Sequence, residues 1–321
     1  MTRIFRSPAL VLFLLAPAMG ELVSGSTPPL VLVVPIVAVW EALLYGCGAL
    51  LVRELARRWG GGWPTILLLG AAYALMEEGI SLKTIFDTTF EPAGQLATYG
   101  RIGELNSVFT IQIIVFHAVV SIALPILLTE LAFPTRRDEL WLGRRGIIIT
   151  SILWGISLVW GFAVVRRIPP PGGAYLATAV MVVVFVVLAR WAARRWPALP
   201  HPDAAGTTGR RWFALFVIGG LASLLFLGFT WGGPAERPAP FTAVLQIATT
   251  AIAAGALAWV ARRRPFADAE KLALACGLIA VFVVADLFKP AGGIFLSGIV
   301  AIFGLFVLAR RVVRAQRAAP A

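Results

Sequence analysis

The residues in this sequence best suited to chemistry are two adjacent acids, Glu77 and Glu78, at the end of an apolar run. Further along the chain, His117 lies inside another apolar run. Carboxylates and imidazole bind cations and exchange protons, and together they can activate a water molecule. A charged side chain at the centre of a lipid-embedded helix costs about 2.5–3.5 kcal/mol. We therefore expect these three side chains to face the protein interior or water, where they are the catalytic candidates.

Two further acids, Glu21 and Glu41, lie within the apolar runs that precede this pair. Residues four apart share one face of a helix, and hydroxyl groups occur at that spacing from three of the ionisable residues. The pairs are Glu41 with Tyr45, Tyr73 with Glu77, and His117 with Ser121. The candidate ligand-binding residues are therefore Glu21, Glu41, Tyr45, Tyr73, Glu77, Glu78, His117 and Ser121.

Several familiar chemistries have no motif in this chain. There is no G-x-x-x-x-G-K-[ST] phosphate loop and no H-E-x-x-H zinc motif. One intramembrane histidine leaves zinc short of its usual nitrogen and sulfur ligands, and Cys47 and Cys276 are far apart within apolar runs. We therefore expect neither a metal nor a cofactor.

The composition indicates that these polar residues belong to a protein embedded in lipid. The 321 residues are 59% hydrophobic and only 14% charged, whereas about a quarter of the residues of a soluble domain are charged. The net charge of +12 comes from short clusters between apolar runs, without the basic face of a nucleic-acid-binding protein. We expect the lipid bilayer as partner, and no nucleic acid.

The apolar runs predict the elements that position the candidate residues. Each is close to the ~20 residues that a helix needs to cross ~30 Å of hydrocarbon, and their continuity favours helices over barrel strands. The sequence therefore predicts an all-α polytopic transmembrane helix bundle of about ten spans. The runs are about 8–25, 29–52, 63–82, 107–133, 146–165, 174–193, 212–231, 241–261, 271–288 and 293–310.

The loop charges predict the orientation of the bundle. With the N-terminus inside, 22 of the 28 Lys and Arg residues lie on the cytoplasmic side, as the positive-inside rule requires. Both termini are then cytoplasmic in an inner (cell) membrane protein, and the acids and His117 fall in the outer half of the bilayer. Alternatively, the first run is a signal peptide cleaved after "APA" at 16–18, which leaves nine spans with unchanged orientation.

The distribution of polar residues among the apolar runs divides the chain into two predicted parts. Residues 1–145 form a four-helix half that carries the polar site. Residues 146–321 form a six-helix apolar scaffold whose stretch "IATTAIAAGALAW" suits close packing and a homo-oligomer. The loop 83–106 is long enough for a lid, and Glu130 is expected to pair with Arg136 or Arg137.

Part of the polar half resembles the CAAX-protease and bacteriocin-processing (CPBP) membrane family. The pattern E-E-x-x-x-R is matched from Glu77 with Leu82 in place of arginine, and F-x-x-x-H is matched at His117 with Ile113 in place of phenylalanine. The third block of that family, H-x-x-x-N/D, is missing. The resemblance implies peptide hydrolysis by a water that a glutamate and a histidine activate.

A broader resemblance covers the first 145 residues. The blocks "GELVSGSTPP", "YGCGALLVRELARRWGGGWP", "MEEG" and "HAVVSIALPILLTELAFP" are similar to those of an uncharacterised family of bacterial polytopic membrane proteins. This resemblance implies a multi-pass membrane protein and no particular activity.

Three functions remain open for the sequence. The acids could bind or transport a cation, a proton or a small cationic solute at an outward-facing intramembrane site. They could be satisfied inside the bundle of a structural or assembly protein. They could also form a CPBP-like intramembrane hydrolase, with Glu77 or Glu78 as base and His117 assisting. Hydrolysis requires one water shared by a carboxylate and His117, whereas a structural role predicts carboxylates that are each paired singly.

Overall fold

Ten long helices follow the ten predicted runs in the part of the chain that the structure describes. The computed structural model describes residues 7–198, 209–231, 236–288 and 294–318. The architecture is an all-α bundle, as the apolar runs predict. The helices are α1 (Pro8–Val23), α2 (Pro35–Arg58), α3 (Trp63–Ser81), α4 (Ser107–Ala132), α5 (Arg144–Val165), α6 (Gly172–Arg195), α7 (Gly209–Trp231), α8 (Ala239–Arg263), α9 (Asp268–Leu287) and α10 (Ile294–Ala318).

Seven of the described helices are long and apolar enough to cross a membrane, namely α2, α4, α5, α6, α7, α8 and α10. Helix α3 forms a bent pair with the following segment Thr84–Ala97, at an angle of 69°. Such a pair is either one broken span or a re-entrant loop. The number of ten spans and the cytoplasmic termini therefore stay predictions, and residues 1–6 and 319–321 lie outside the described ranges.

Several helices contain a wider π-helical turn, in which each hydrogen bond spans five residues instead of four. In the described residues these turns are Ala18–Val23, Ala42–Gly46, Leu75–Ser81, His117–Ala123 and Gly161–Val165. The π turns of α1 to α4 contain most of the candidate residues, including Glu21, Tyr45 and His117. Such turns are rare and occur often at functional sites, because they redirect side chains that a regular helix would space evenly.

The core extends across the predicted boundary at residue 145. One buried cluster is formed by side chains from each of the first four helices, namely Leu12, Leu44, Ile66 and Ile126. Ala189 of α6 belongs to the same cluster. A second cluster joins α4 to α9, where the rings of Phe116 and Phe282 lie 6.0 Å apart. Helices from both predicted halves thus share one core, and the division into 1–145 and 146–321 stays a prediction.

The segment between α3 and α4 is folded and packed. It contains the 3₁₀ turns Thr84–Phe86 and Glu91–Ala97, followed by a two-stranded antiparallel hairpin of Arg101–Ile102 and Leu105–Asn106. Phe86 is buried, and the Tyr99 hydroxyl donates to Arg237 O over 2.9 Å. These apolar and aromatic anchors hold the segment against the bundle, while its action as a lid stays a prediction.

Candidate functional site

Helices α3 and α4 bring His117 between the two adjacent acids. The ring atom Nε2 lies 3.2 Å from Glu78 Oε1, and Nδ1 lies 3.5 Å from Glu77 Oε2. The exposed fractions are 1% for Glu77, 7% for Glu78 and 1% for His117. Each nitrogen of one buried imidazole therefore faces a different buried carboxylate.

Two hydroxyl groups orient the members of this trio. Ser121 Oγ lies 3.0 Å from His117 Nδ1, one helical turn further along α4. Thr84, just after the end of α3, donates its hydroxyl to the Glu78 carboxylate. Hydrogen bonds of this kind restrict the ring and the carboxylate to one orientation.

Glu21 is held by hydroxyl groups from two directions. The hydroxyls of Tyr45 and Thr27 each donate to its carboxylate over 2.5 Å. The Tyr45 ring centroid lies 5.9 Å from that of His117, so Glu21 borders the same interior. Spacing along a regular helix predicts that Tyr45 accompanies Glu41. Tyr45 lies in the π turn Ala42–Gly46, where the residues per turn differ from those of a regular helix, and its hydroxyl donates to Glu21 instead.

Glu41 is buried and lies within electrostatic range of the other three acids, Glu21, Glu77 and Glu78. Its Oε2 has no hydrogen-bond partner in the described part of the chain. Buried polar atoms normally have one, so an exception at this position needs an explanation. Together, Glu21, Glu41, Glu77, Glu78 and His117 form what we call the acid–histidine cluster.

Tyr73 completes the wall beside Glu77. Its hydroxyl approaches that carboxylate, but neither the hydroxyl nor Glu77 Oε2 has a hydrogen bond of good geometry within the described residues. The cluster therefore contains several buried polar atoms that remain available to a further partner.

Close helix packing keeps the cluster compact. A Cβ atom on Gly70 of α3 would lie 2.8 Å from Ala118 Cα of α4, next to His117. A Cβ atom on Gly20 of α1 would lie 2.6 Å from the Tyr45 ring. Small residues at such crossings let membrane helices approach until polar side chains on both can meet.

The cluster carries an excess of acid. In the part of the chain that the structure describes, His117 is the ion-pair partner of Glu77 and Glu78, and Glu21 is held by neutral hydroxyls. One imidazolium cannot neutralise four buried carboxylates, and an uncompensated charge in such surroundings is expensive. The cluster therefore requires bound protons or a bound cation.

The predicted scaffold half also contributes to the site. The Trp154 ring of α5 stacks on Tyr73 at 6.0 Å and 18°, and Trp40 Nε1 of α2 donates to Ser157 O over 3.0 Å. Ser81 Oγ, at the end of α3, donates to Leu158 O over 2.7 Å. Sequence reasoning missed these residues because an aromatic side chain in an apolar helix has no pattern that separates a site wall from a lipid-facing surface.

A second set of charged side chains lies near the C-terminal end of α2, away from Glu41. Arg53 is 0% exposed and contacts Glu54 Oε1 at 3.0 Å and Glu130 Oε1 at 3.2 Å. Arg57 Nη2 lies 2.6 Å from the same Glu130 oxygen. Glu130 thus pairs with arginines of α2 rather than with the neighbouring Arg136 or Arg137, because α2 and α4 lie side by side there.

One atom each from Glu77, Glu78 and His117 could bind a metal ion, since the three ligand atoms all lie within 4.8 Å of one another. The sequence predicts no metal because a single intramembrane histidine leaves zinc short of nitrogen and sulfur ligands. The fold adds two carboxylate oxygens to the single imidazole, and these are also metal ligands.

The fold and the site define a multi-pass α-helical membrane protein with a buried acidic centre. The model of an uncharacterized membrane protein family matches residues 10–320, and the chain belongs to that family. No curated protein and no solved structure matches the chain.

Proposed function

We propose that this protein binds a small cation in the acid–histidine cluster and carries it across the cell membrane. The observation that supports the proposal is the charge of the cluster, in which four buried carboxylates lie within electrostatic range of one another and share one imidazole. A proton or a metal cation would neutralise the excess. Intramembrane acids of this kind typically mark ion and proton pathways.

The hydrogen-bond pattern favours this function over a purely structural one. A structural role predicts that each carboxylate is satisfied by its own donor, as Glu21 is by Tyr45 and Thr27. By contrast, Glu41 Oε2 has no hydrogen-bond partner in the described residues, and Glu77 Oε2 has only the looser approaches of His117 Nδ1 at 3.5 Å and of the Tyr73 hydroxyl. Carboxylate oxygens that are so weakly satisfied suit a site whose partner enters and leaves.

The sequence favours cation binding over CPBP-like hydrolysis. The third block of the CPBP pattern, H-x-x-x-N/D, is missing from this chain, and with it the second histidine of that family. Leu82 also stands where that pattern has arginine. In the orientation that the loop charges predict, the cluster lies in the outer half of the bilayer.

Transport is tested by reconstituting the full chain in proteoliposomes and measuring uptake of protons, sodium, potassium, manganese and zinc. We expect uptake of at least one of these ions, and its loss in Glu78→Gln and His117→Gln. The matched control is Glu104→Gln, which makes the same change on the exposed outer hairpin. Uptake that is absent for every ion, or unchanged in the two cluster variants, would refute the proposed function.

A further inference from the structure

We infer that Glu77, Glu78 and His117 together bind one divalent transition-metal ion. The inference rests on the proposed function and deepens it by naming the class of cation. Three further features carry it, namely the spacing of the ligand atoms, their chemical type, and a buried hydroxyl that makes no hydrogen bond of good geometry among the described residues.

The spacing of the ligand atoms fits a single ion. Nitrogen and carboxylate ligands lie about 2.0–2.2 Å from a metal such as zinc, so two ligands of the same ion are separated by roughly 3–4 Å. One ligand atom from each of the three residues can be chosen so that all three lie within 4.8 Å of one another, and His117 Nε2 is 3.2 Å from Glu78 Oε1. Small side-chain rotations would direct one ring nitrogen and both carboxylates at a common point.

The ligand types select the class of ion. Magnesium and calcium prefer sites made of oxygen atoms, whereas an imidazole nitrogen suits zinc, copper, iron and nickel; manganese accepts the carboxylate oxygens. A divalent ion would also neutralise the two carboxylates of Glu77 and Glu78, which His117 alone cannot do. Three protein ligands leave positions open for water, and open positions let an ion exchange.

An independent observation also points to a ligand at this place. The Tyr73 hydroxyl is in a residue only 2% exposed and approaches the Glu77 carboxylate, but it makes no hydrogen bond of good geometry among the described residues. A water molecule or a shifted, metal-bound carboxylate oxygen would complete that hydrogen bond. Tyr73 is therefore oriented towards a carboxylate that would hold the ion.

The surrounding hydroxyls match the outer shell of a metal site. A metal-ligating histidine usually donates its second N–H to a neighbouring acceptor, which fixes the ring. With Nε2 on the metal, Nδ1 would donate to Ser121 Oγ at 3.0 Å. Thr84 fixes the Glu78 carboxylate in the same way. Ser121 is then a positioning residue that acts through His117.

The test is equilibrium binding of manganese to the tag-free, metal-free, detergent-purified full chain, followed by the loss of the free Mn²⁺ paramagnetic resonance signal. We expect one Mn²⁺ per chain, displaced by zinc and retained in excess magnesium. Glu78→Gln and His117→Gln should weaken binding by at least about 100-fold. Ser121→Ala, which removes only the orienting hydroxyl, should weaken it by about 10–100-fold.

The control Glu104→Gln should bind Mn²⁺ like the unchanged chain, and size-exclusion profiles identify any variant that fails to fold. If Glu78→Gln does not fold, the Ser121→Ala result decides. Equal binding in all variants would overturn the inference, because the ion would sit elsewhere. Absence of Mn²⁺ and Zn²⁺ binding would overturn it too. In that case, cluster-dependent proton, sodium or potassium uptake would leave the proposed function standing, whereas no uptake at all would remove both.

Discussion

The charge excess of the acid–histidine cluster makes a specific prediction for the stability of Glu77→Gln. Glu77 is 1% exposed, and its Oε2 accepts no hydrogen bond within the described residues. A buried acceptor left without a donor costs about 1–3 kcal/mol, and more when it is charged. Glutamine has the same shape, removes the charge, and can direct its NH₂ group at His117 Nδ1. The substitution should therefore stabilise the metal-free protein by about 1–3 kcal/mol.

The assay is thermal unfolding of the detergent-purified chain at pH 8 in the presence of a chelator. At roughly 2 °C per kcal/mol for a chain of this size, Tm should rise by about 2–6 °C. The control Glu104→Gln changes an exposed acid and should leave Tm within about 1 °C, because surface substitutions are usually within ±0.5 kcal/mol. A fall in Tm for Glu77→Gln would refute the reasoning, since it would mean that this carboxylate holds the bundle together. Gains of stability at the expense of function are typical of functional sites.

The remaining predictions concern the framework around the cluster. Arg53→Met should lower stability by about 3–5 kcal/mol, because Glu54 loses its fully buried cation and Glu130 keeps only Arg57. Arg58→Met changes a more exposed arginine of the same helix and should cost less than about 1 kcal/mol. Equal falls in Tm for Arg53→Met and Arg58→Met would contradict this prediction. Gly70→Ala should cost about 1–3 kcal/mol and reduce cation uptake, because its Cβ would push α4 and His117 away from α3. Gly155→Ala, where nothing lies within 4 Å, is the matched control for the same two measurements and should be neutral or slightly stabilising.

The helices could be predicted from the sequence because lipid permits few alternatives. An apolar run of about 20 residues must satisfy its own backbone groups, so each of the ten runs predicted a helix that the structure contains within its described ranges. The proximity of Glu77, Glu78 and His117 was also foreseeable, since acids and a histidine inside apolar runs must face the same polar interior. Depth relative to the membrane was inferred from loop charges and stays a prediction.

The partners of individual side chains could not be predicted, for two physical reasons. Sequence spacing assumes regular helices, whereas Tyr45 lies in the π turn Ala42–Gly46 and its hydroxyl donates to Glu21 on another helix. Contacts between distant helices have no local pattern, and this hid the stacking of Trp154 on Tyr73. For the same reason the complete burial of Arg53 could not be predicted, since its partner Glu130 lies on another helix.

The central claim is that the acid–histidine cluster binds and carries a cation. Its most direct test is the transient current that a cation concentration jump produces in proteoliposomes adsorbed on a solid-supported membrane. We predict a current for the unchanged chain and for Glu104→Gln, and none above that of empty liposomes for Glu78→Gln. Equal currents from Glu78→Gln and the unchanged chain would contradict the account, because the charge movement would not depend on the buried acid.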